Sequence, residues 1–321
     1  MDVLAQLEDM AAIKRKSLDS ADEGEFEKVV RQIANLLLGD AGITDDQILL
    51  VCRKLQERFN ITMSLGTCLD DEYRPWLAES RGDIDWYYWD RYKRYLTKKK
   101  FPEQVISQMG LVTDRIVDRL GNPNGEGGLE RKGLVVGDVQ SGKTANYSAV
   151  ICKAADAGYR VIIVLAGMLN ALRNQTQIRL DEAFVGLESG KSDKPGAAGR
   201  VIGVGEFSRD RTPVSFTTQD QDFHKKVATQ IRTGIDQLNQ PMLLVLKKNK
   251  NVLRNVVDWF RDNNLDFSES PMLLIDDEAD HASVNTAADS AEATAINAGI
   301  RELRGLFPKH CYLGYTATPF A

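Results

Sequence analysis

Apolar positions in the first third of the chain recur with the 3.6-residue period of a helix. Across 25–38 they fall at Phe26, Val29, Val30, Ile33, Ala34, Leu37 and Leu38, a stripe along one face. Residues 45–59 repeat the pattern with Ile48, Leu49, Val51, Cys52 and Leu55. Thr44, ahead of Asp45 and Asp46, suits the N-terminus of that helix. A third amphipathic helix is predicted over 101–120, with Pro102 at its start. The turn-rich run Asn122-Pro123-Asn124-Gly125-Glu126-Gly127-Gly128 follows. The domain boundary is predicted there, between a smaller all-α domain over 1–121 and a second domain over 122–321.

Beyond the boundary the pattern changes. Short apolar runs at 133–136, 161–166, 200–204, 242–246, 272–275 and 311–315 are rich in Val, Ile and Leu and lack polar alternation. Strands of that kind are buried on both faces, as in a parallel sheet covered by helices. Helical stretches separate the runs, so the predicted class is α/β, with a mainly parallel sheet flanked by helices. The segment 188–199, rich in Gly, Ser, Lys and Pro, reads as a surface loop.

Composition agrees with a folded chain. Of 321 residues, 43% are hydrophobic and 27% charged. No apolar run approaches the ~18 residues of a membrane span, so no membrane partner is expected. The start, Met1-Asp2-Val3-Leu4, has no basic region leading into an apolar stretch, and a cytoplasmic location is expected. Four scattered cysteines (Cys52, Cys68, Cys152, Cys311) argue against a disulfide framework or a zinc ribbon. The net charge of −5 carries no global nucleic-acid signature, so any such contact must be local.

One local patch is strongly biased. Residues 91–100 hold Arg91, Lys93, Arg94, Lys98, Lys99 and Lys100 with no acid, beside Trp86, Tyr87, Tyr88, Trp89, Tyr92 and Tyr95. Aromatics interleaved with cations can stack bases and hold phosphates. The competing reading is a helix that packs its aromatic face on the next domain and turns its cations to water. Trp259 and Phe260 lie on an apolar helix face and read as core.

Three motifs carry chemistry. Gly137-Asp138-Val139-Gln140-Ser141-Gly142-Lys143-Thr144 fits G-x-x-x-x-G-K-[ST] between a predicted strand and a predicted helix over 145–157. The expected nucleotide-binding residues are Gly137, Gln140, Ser141, Gly142, Lys143, Thr144 and Ala145. The glycines let backbone N–H groups face phosphate oxygens, and the helix N-terminus adds partial positive charge. Lys143 should reach the β- and γ-phosphates of ATP, and the Thr144 hydroxyl should ligate magnesium. Second, the run Met272-Leu273-Leu274-Ile275 ends in Asp276-Asp277-Glu278-Ala279-Asp280. Carboxylates at the end of a buried strand can hold the metal and deprotonate the attacking water. Asp277 is expected on the magnesium side and Glu278 as base, with Asp276 a competitor for the first role. Third, Thr316 and Thr318, in Thr316-Ala317-Thr318-Pro319, could hydrogen-bond to the acidic cluster and sense hydrolysis.

In that order the motifs resemble the first RecA-like domain of superfamily-two helicases and translocases. The match is closer to the prokaryotic Z-one domain family, endonuclease-associated or helicase-like ATPases of restriction and phage-defence loci. The resemblance rests on residues 131–147, 156–167, 172–177 and 276–286 and covers roughly 100–321. It implies an ATP-driven motor acting on DNA, expected to be double-stranded, beside a nuclease and a methyltransferase. It also implies a second RecA-like lobe, so the chain is expected to be the N-terminal part of a longer protein with weak turnover of its own. No nuclease motif occurs in these residues. Candidate nucleic-acid contacts are Asn170 and Arg173, in the segment 167–177, and Lys247 and Lys248, after the strand at 242–246. Each could instead be ordinary helix or loop decoration. His281 is expected to be structural. A nucleotide-dependent switch controlling a partner nuclease, without translocation, is the alternative function.

Overall fold

In the computed structural model the described residues are 7, 10–11, 23–38, 48, 51, 74–137, 142–190, 199–223, 240–262, 267, 270–279 and 291–316. They fall into two compact units, one of 1–62 with 140–142, the other of 63–139 with 143–321. In the first, helix α1 spans Glu23–Leu38, two residues longer than predicted, and buries Val30, Ile33 and Ala34 on its apolar stripe. Of the helix predicted over 45–59, only Ile48 and Val51 are described; both are helical and buried.

The second unit is built on six strands: β1 (Leu129–Val136), β2 (Val161–Ala166), β3 (Val214–Ser215), β4 (Met242–Leu246), β5 (Met272–Asp277) and β6 (Lys309–Thr316). Their order across the sheet is β1-β6-β5-β2-β4-β3, and every pairing is parallel. The expected α/β architecture with a parallel sheet is therefore present. Strands β2 and β4 are buried along their whole length and β5 as far as Asp276, as their unbroken apolar runs require. Edge strand β1 is not, with Leu134 and Val136 about half exposed.

Period-2 alternation divides the core. Ile162, Val164, Leu243, Val245, Leu273, Ile275, Leu313 and Tyr315 face one side of the sheet. There they meet helices α2 (Leu77–Ser80), α3 (Tyr87–Lys98), α4 (Glu103–Leu120) and α5 (Lys143–Ala157). Val161, Ile163, Leu165, Leu244, Leu246, Met272 and Leu274 face the other side. Helices α7 (Lys250–Asp262) and α8 (Ala291–Arg304) cover them, with Trp259 and Phe260 in the core as expected. Helix α6 (Asn170–Leu180) leads into a π-helical turn, Asp181–Val185.

The boundary expected at 121/122 is not where the compact units divide. Trp89, Tyr92, Leu96, Met109, Val117 and Leu120 share one hydrophobic cluster with α5 and the sheet. The aromatic stripe of α3 is what buries itself there, which favours the packing reading of 86–100. Tyr88, Trp89 and Tyr92 are buried, whereas Arg94, Lys98, Lys99 and Lys100 face water. Arg91 is the exception, buried and donating to the Ser208 carbonyl at 3.0 Å and to the Phe184 carbonyl. Carboxylates from neighbouring helices cap this region. Asp118 of α4 accepts the N–H groups of Trp76 (3.0 Å) and Leu77 (2.8 Å) at the start of α2. Asp156 of α5 accepts those of Tyr88 (2.8 Å) and Trp89 (2.9 Å) at the start of α3.

The strand predicted at 200–204 is corrected. Val201 makes one isolated antiparallel bridge with Leu187, and Gly203–Glu206 is a 3-10 helix. Gly203 has φ +52°, and a Cβ on it would lie 2.0 Å from the Glu182 carbonyl oxygen. The glycines let this segment press against the π-helical turn instead of extending into the sheet. The sixth strand is instead the two-residue β3, too short to leave a hydrophobic run.

Candidate functional site

Because every pairing is parallel, the carboxyl ends of the strands share one edge of the sheet. Ligands of open α/β sheets bind along that edge. Gly137 follows β1, Thr316 ends β6, Asp277 ends β5, Gly167 follows β2 and Lys247 follows β4. Strand β6 lies between the strand leading to Gly137 and the strand carrying Asp277.

The Gly137 N–H donates to the Thr316 carbonyl at 3.0 Å, fastening the exit of β1 to the end of β6. Gly142 has φ +67°, a left-handed conformation, immediately before α5. Lys143, Thr144 and Ala145 form the first turn of α5, where backbone N–H groups have no intrahelical acceptor and favour an anion. The Thr144 hydroxyl accepts a hydrogen bond from Arg179 of α6 at 2.9 Å. Gln140, Ser141, Thr318 and His281 lie outside the described residues.

Alternation along β5 separates the two aspartates. Ile275 faces the α5 side, so Asp276 points to the opposite side and Asp277 returns toward α5. Asp276 is fully buried, 2.6 Å from the Lys248 ammonium, and accepts the Tyr312 hydroxyl at 2.6 Å. Oδ1 is held by the ion pair and Oδ2 by the hydrogen bond, on the side of the sheet away from α5, so Asp277 is the better placed of the two for a metal there. Asp277 has its carboxyl raised above the ordinary range, first by burial and then by Glu278, while the Lys143 and Lys248 charges pull it down. A cation beside that carboxylate would favour its charged form. Tyr315, one strand over, donates to the Asn146 amide oxygen of α5 at 2.8 Å and packs edge-on against Tyr147.

Glu278 has φ +57°, a left-handed conformation that costs a non-glycine residue about 1–2 kcal/mol. Its N–H donates to Asp277 Oδ1 at 3.1 Å, and its carbonyl accepts the Lys248 ammonium at 2.6 Å. The next residue, Ala279, is buried and donates its N–H to the Tyr315 carbonyl at 2.9 Å. The Glu278 carboxylate lies over Gly167, where an added Cβ would sit 3.2 Å from Oε2. Gly167 also has φ +65°, a left-handed conformation that favours glycine.

The predicted nucleic-acid contacts separate. Arg173 is buried and donates to the Thr218 and Gln219 carbonyls at 2.7 and 2.5 Å; it pins a loop and does not face a ligand. Lys248 is equally committed, as above. Cations that look solvated in a linear sequence are thus taken up here by backbone carbonyls and, for Lys248, by Asp276 as well. Asn170 is exposed, and Lys247 donates to its side-chain oxygen at 2.9 Å. These two remain at the surface of the carboxyl edge.

Thr144 and Asp277 offer oxygen donors of the kind magnesium takes in small numbers alongside water and phosphate. Among the described residues no group of three or more His, Cys, Asp or Glu could hold a metal by itself. Sequence reasoning missed Arg179, Gly167 and the role of Lys248. Arg179 carries no signal of its own; only the course of α6 past the start of α5 brings it to Thr144. Among the described residues no helix is long and apolar enough to cross a membrane. No protein-family model and no curated protein sequence matches this chain.

Proposed function

We propose that the second unit is a RecA-like P-loop domain of the superfamily-two type that binds and hydrolyses ATP with magnesium. The observation that carries this reading is positional: the helix start at Lys143–Ala145, reached from the end of β1, and Asp277 with Glu278 at the end of β5 lie on the same carboxyl edge of one parallel sheet. Lys143 and the first turn of α5 would bind the terminal phosphates. Thr144, once released from Arg179, and Asp277 would hold magnesium, which supplies positive charge against the phosphate oxygens. Glu278 would take the proton of the attacking water on its carboxylate, and Thr316 would link β6 to the β1 exit. Catalysis would come from positioning and charge stabilisation. In the wider reading the domain is a motor on double-stranded DNA, beside a nuclease and a methyltransferase in a restriction or phage-defence complex, in the cytoplasm.

A second reading is favoured by the burial of Arg173 and Lys248. With these two unavailable, the domain could act as a nucleotide-dependent switch on a partner nuclease without moving along DNA. Salt-sensitive DNA binding and DNA-stimulated ATPase would support the motor, and their absence would support the switch. The hydrolytic core is tested separately. Lys143→Ala should abolish the thermal stabilisation produced by ATP with magnesium, and an unchanged shift would sink the site. Glu278→Gln should keep that shift and lose hydrolysis; loss of binding as well would make Glu278 a ligand or a structural residue.

A further inference from the structure

Glu278 is one of two described non-glycine residues with a left-handed backbone. Its peptide group is held by Asp277 on the N–H side and by Lys248 on the carbonyl side. Lys248 is unusual in its own right. Its side chain is fully buried and sits 2.6 Å from an equally buried Asp276, and its backbone N–H donates to the Gly167 carbonyl at 2.8 Å. One residue thereby touches the ends of three strands: its own β4, β2 through Gly167, and β5 through Asp276 and Glu278.

A buried ion pair of this kind is seldom the cheapest way to fill a core, since an apolar pair of similar volume avoids two desolvation penalties. An apolar pair would lack one thing: a donor aimed at the Glu278 carbonyl. Without that donor the carbonyl would lose its partner, and the left-handed turn would be free to relax toward an ordinary conformation. The carboxylate above Gly167 would swing with it.

We infer that Lys248 is a positioning residue for Glu278, holding the turn that aims the carboxylate along the edge of the sheet. The inference rests on the proposed hydrolysis for its consequence, though not for its geometry. Two variants separate holding from simple charge balance. Lys248→Met alone leaves Asp276 buried and unpaired and should lower Tm. Adding Asp276→Asn removes the orphan charge, keeps an acceptor for Tyr312, and should restore most of that loss.

Amide hydrogen exchange on the nucleotide-free chain is the first readout. In the double variant, exchange at Glu278 and Ala279 should rise while that of β2 and β4 stays at the wild-type level. The second readout is kinetic: the double variant should bind ATP with an affinity within a few-fold of wild type and show a kcat lowered about 100-fold. Unchanged exchange at 278–279 would overturn the inference. So would a double variant that regains both Tm and kcat, because Lys248 would then merely neutralise Asp276. Raised exchange in a chain whose wild type neither binds nor hydrolyses ATP would uphold the hold on the turn and overturn the reading of Glu278 as a base.

Discussion

Lys153 sits on α5 with its ammonium donating to Asp114 at 2.5 Å and to the Gly110 carbonyl at 2.6 Å, 4.5 Å from the centre of the Trp89 ring. Burial pushes this lysine down to about 8, against the upward pull of Asp114. The unfolded chain, with an ordinary value of about 10.4, therefore binds more protons than the folded chain between those two limits. Stability from this group should rise with pH across that window. Comparison of Tm for the wild type and Lys153→Met should show the wild type gaining on the variant from about pH 8 to pH 10. A difference that stays constant would mean the folded lysine titrates normally. Neither Lys153 nor Lys248 is legible as buried. In sequence Lys248 belongs to a Lys-Lys-Asn-Lys run, the usual mark of a solvated loop, and only the fold supplies Asp276 as its partner. Asp276 and Asp277 are different. Adjacent residues on a strand face opposite ways, so their separation into a core ion pair and a site carboxylate was readable once β5 was placed.

Among the elements, unbroken apolar runs were the most legible signal. They located β2, β4 and β5 because strands buried on both faces leave no room for polar alternation. Edge strand β1 was found only by its last four residues, since Glu130-Arg131-Lys132 puts three consecutive charges in its first half and breaks the apolar run. The run at 200–204 misled because apolarity does not report backbone clearance. A methyl on Gly203 would strike the Glu182 carbonyl, and its φ is unsuited to a side chain. Gly203→Ala should accordingly cost about 3 kcal/mol or more, read as a lowered Tm, while a substitution at the open Gly82 should cost little. Equal effects at the two positions would show that the π-helical turn yields easily.

For the molecule as a whole, the telling fact is that helices α2 to α4 complete the core of the sheet. Fragment 122–321 would expose the cluster that Trp89, Tyr92, Met109 and Val117 fill. It should express as an aggregating or molten species, while fragment 63–321 should melt cooperatively. A soluble, cooperative 122–321 would restore the boundary at the Asn-Pro-Asn-Gly turn. Sequence punctuation marks a turn but cannot say whether the chain crosses from one core to another there. The borrowed caps add a matter of timing. Helices α2 and α3 have no capping side chain at their own N-cap positions. The acceptors they use sit 41 to 42 residues downstream for Asp118 and 67 to 68 for Asp156. As the chain emerges in order, these two helices stay incompletely ended until α4 and α5 have been made.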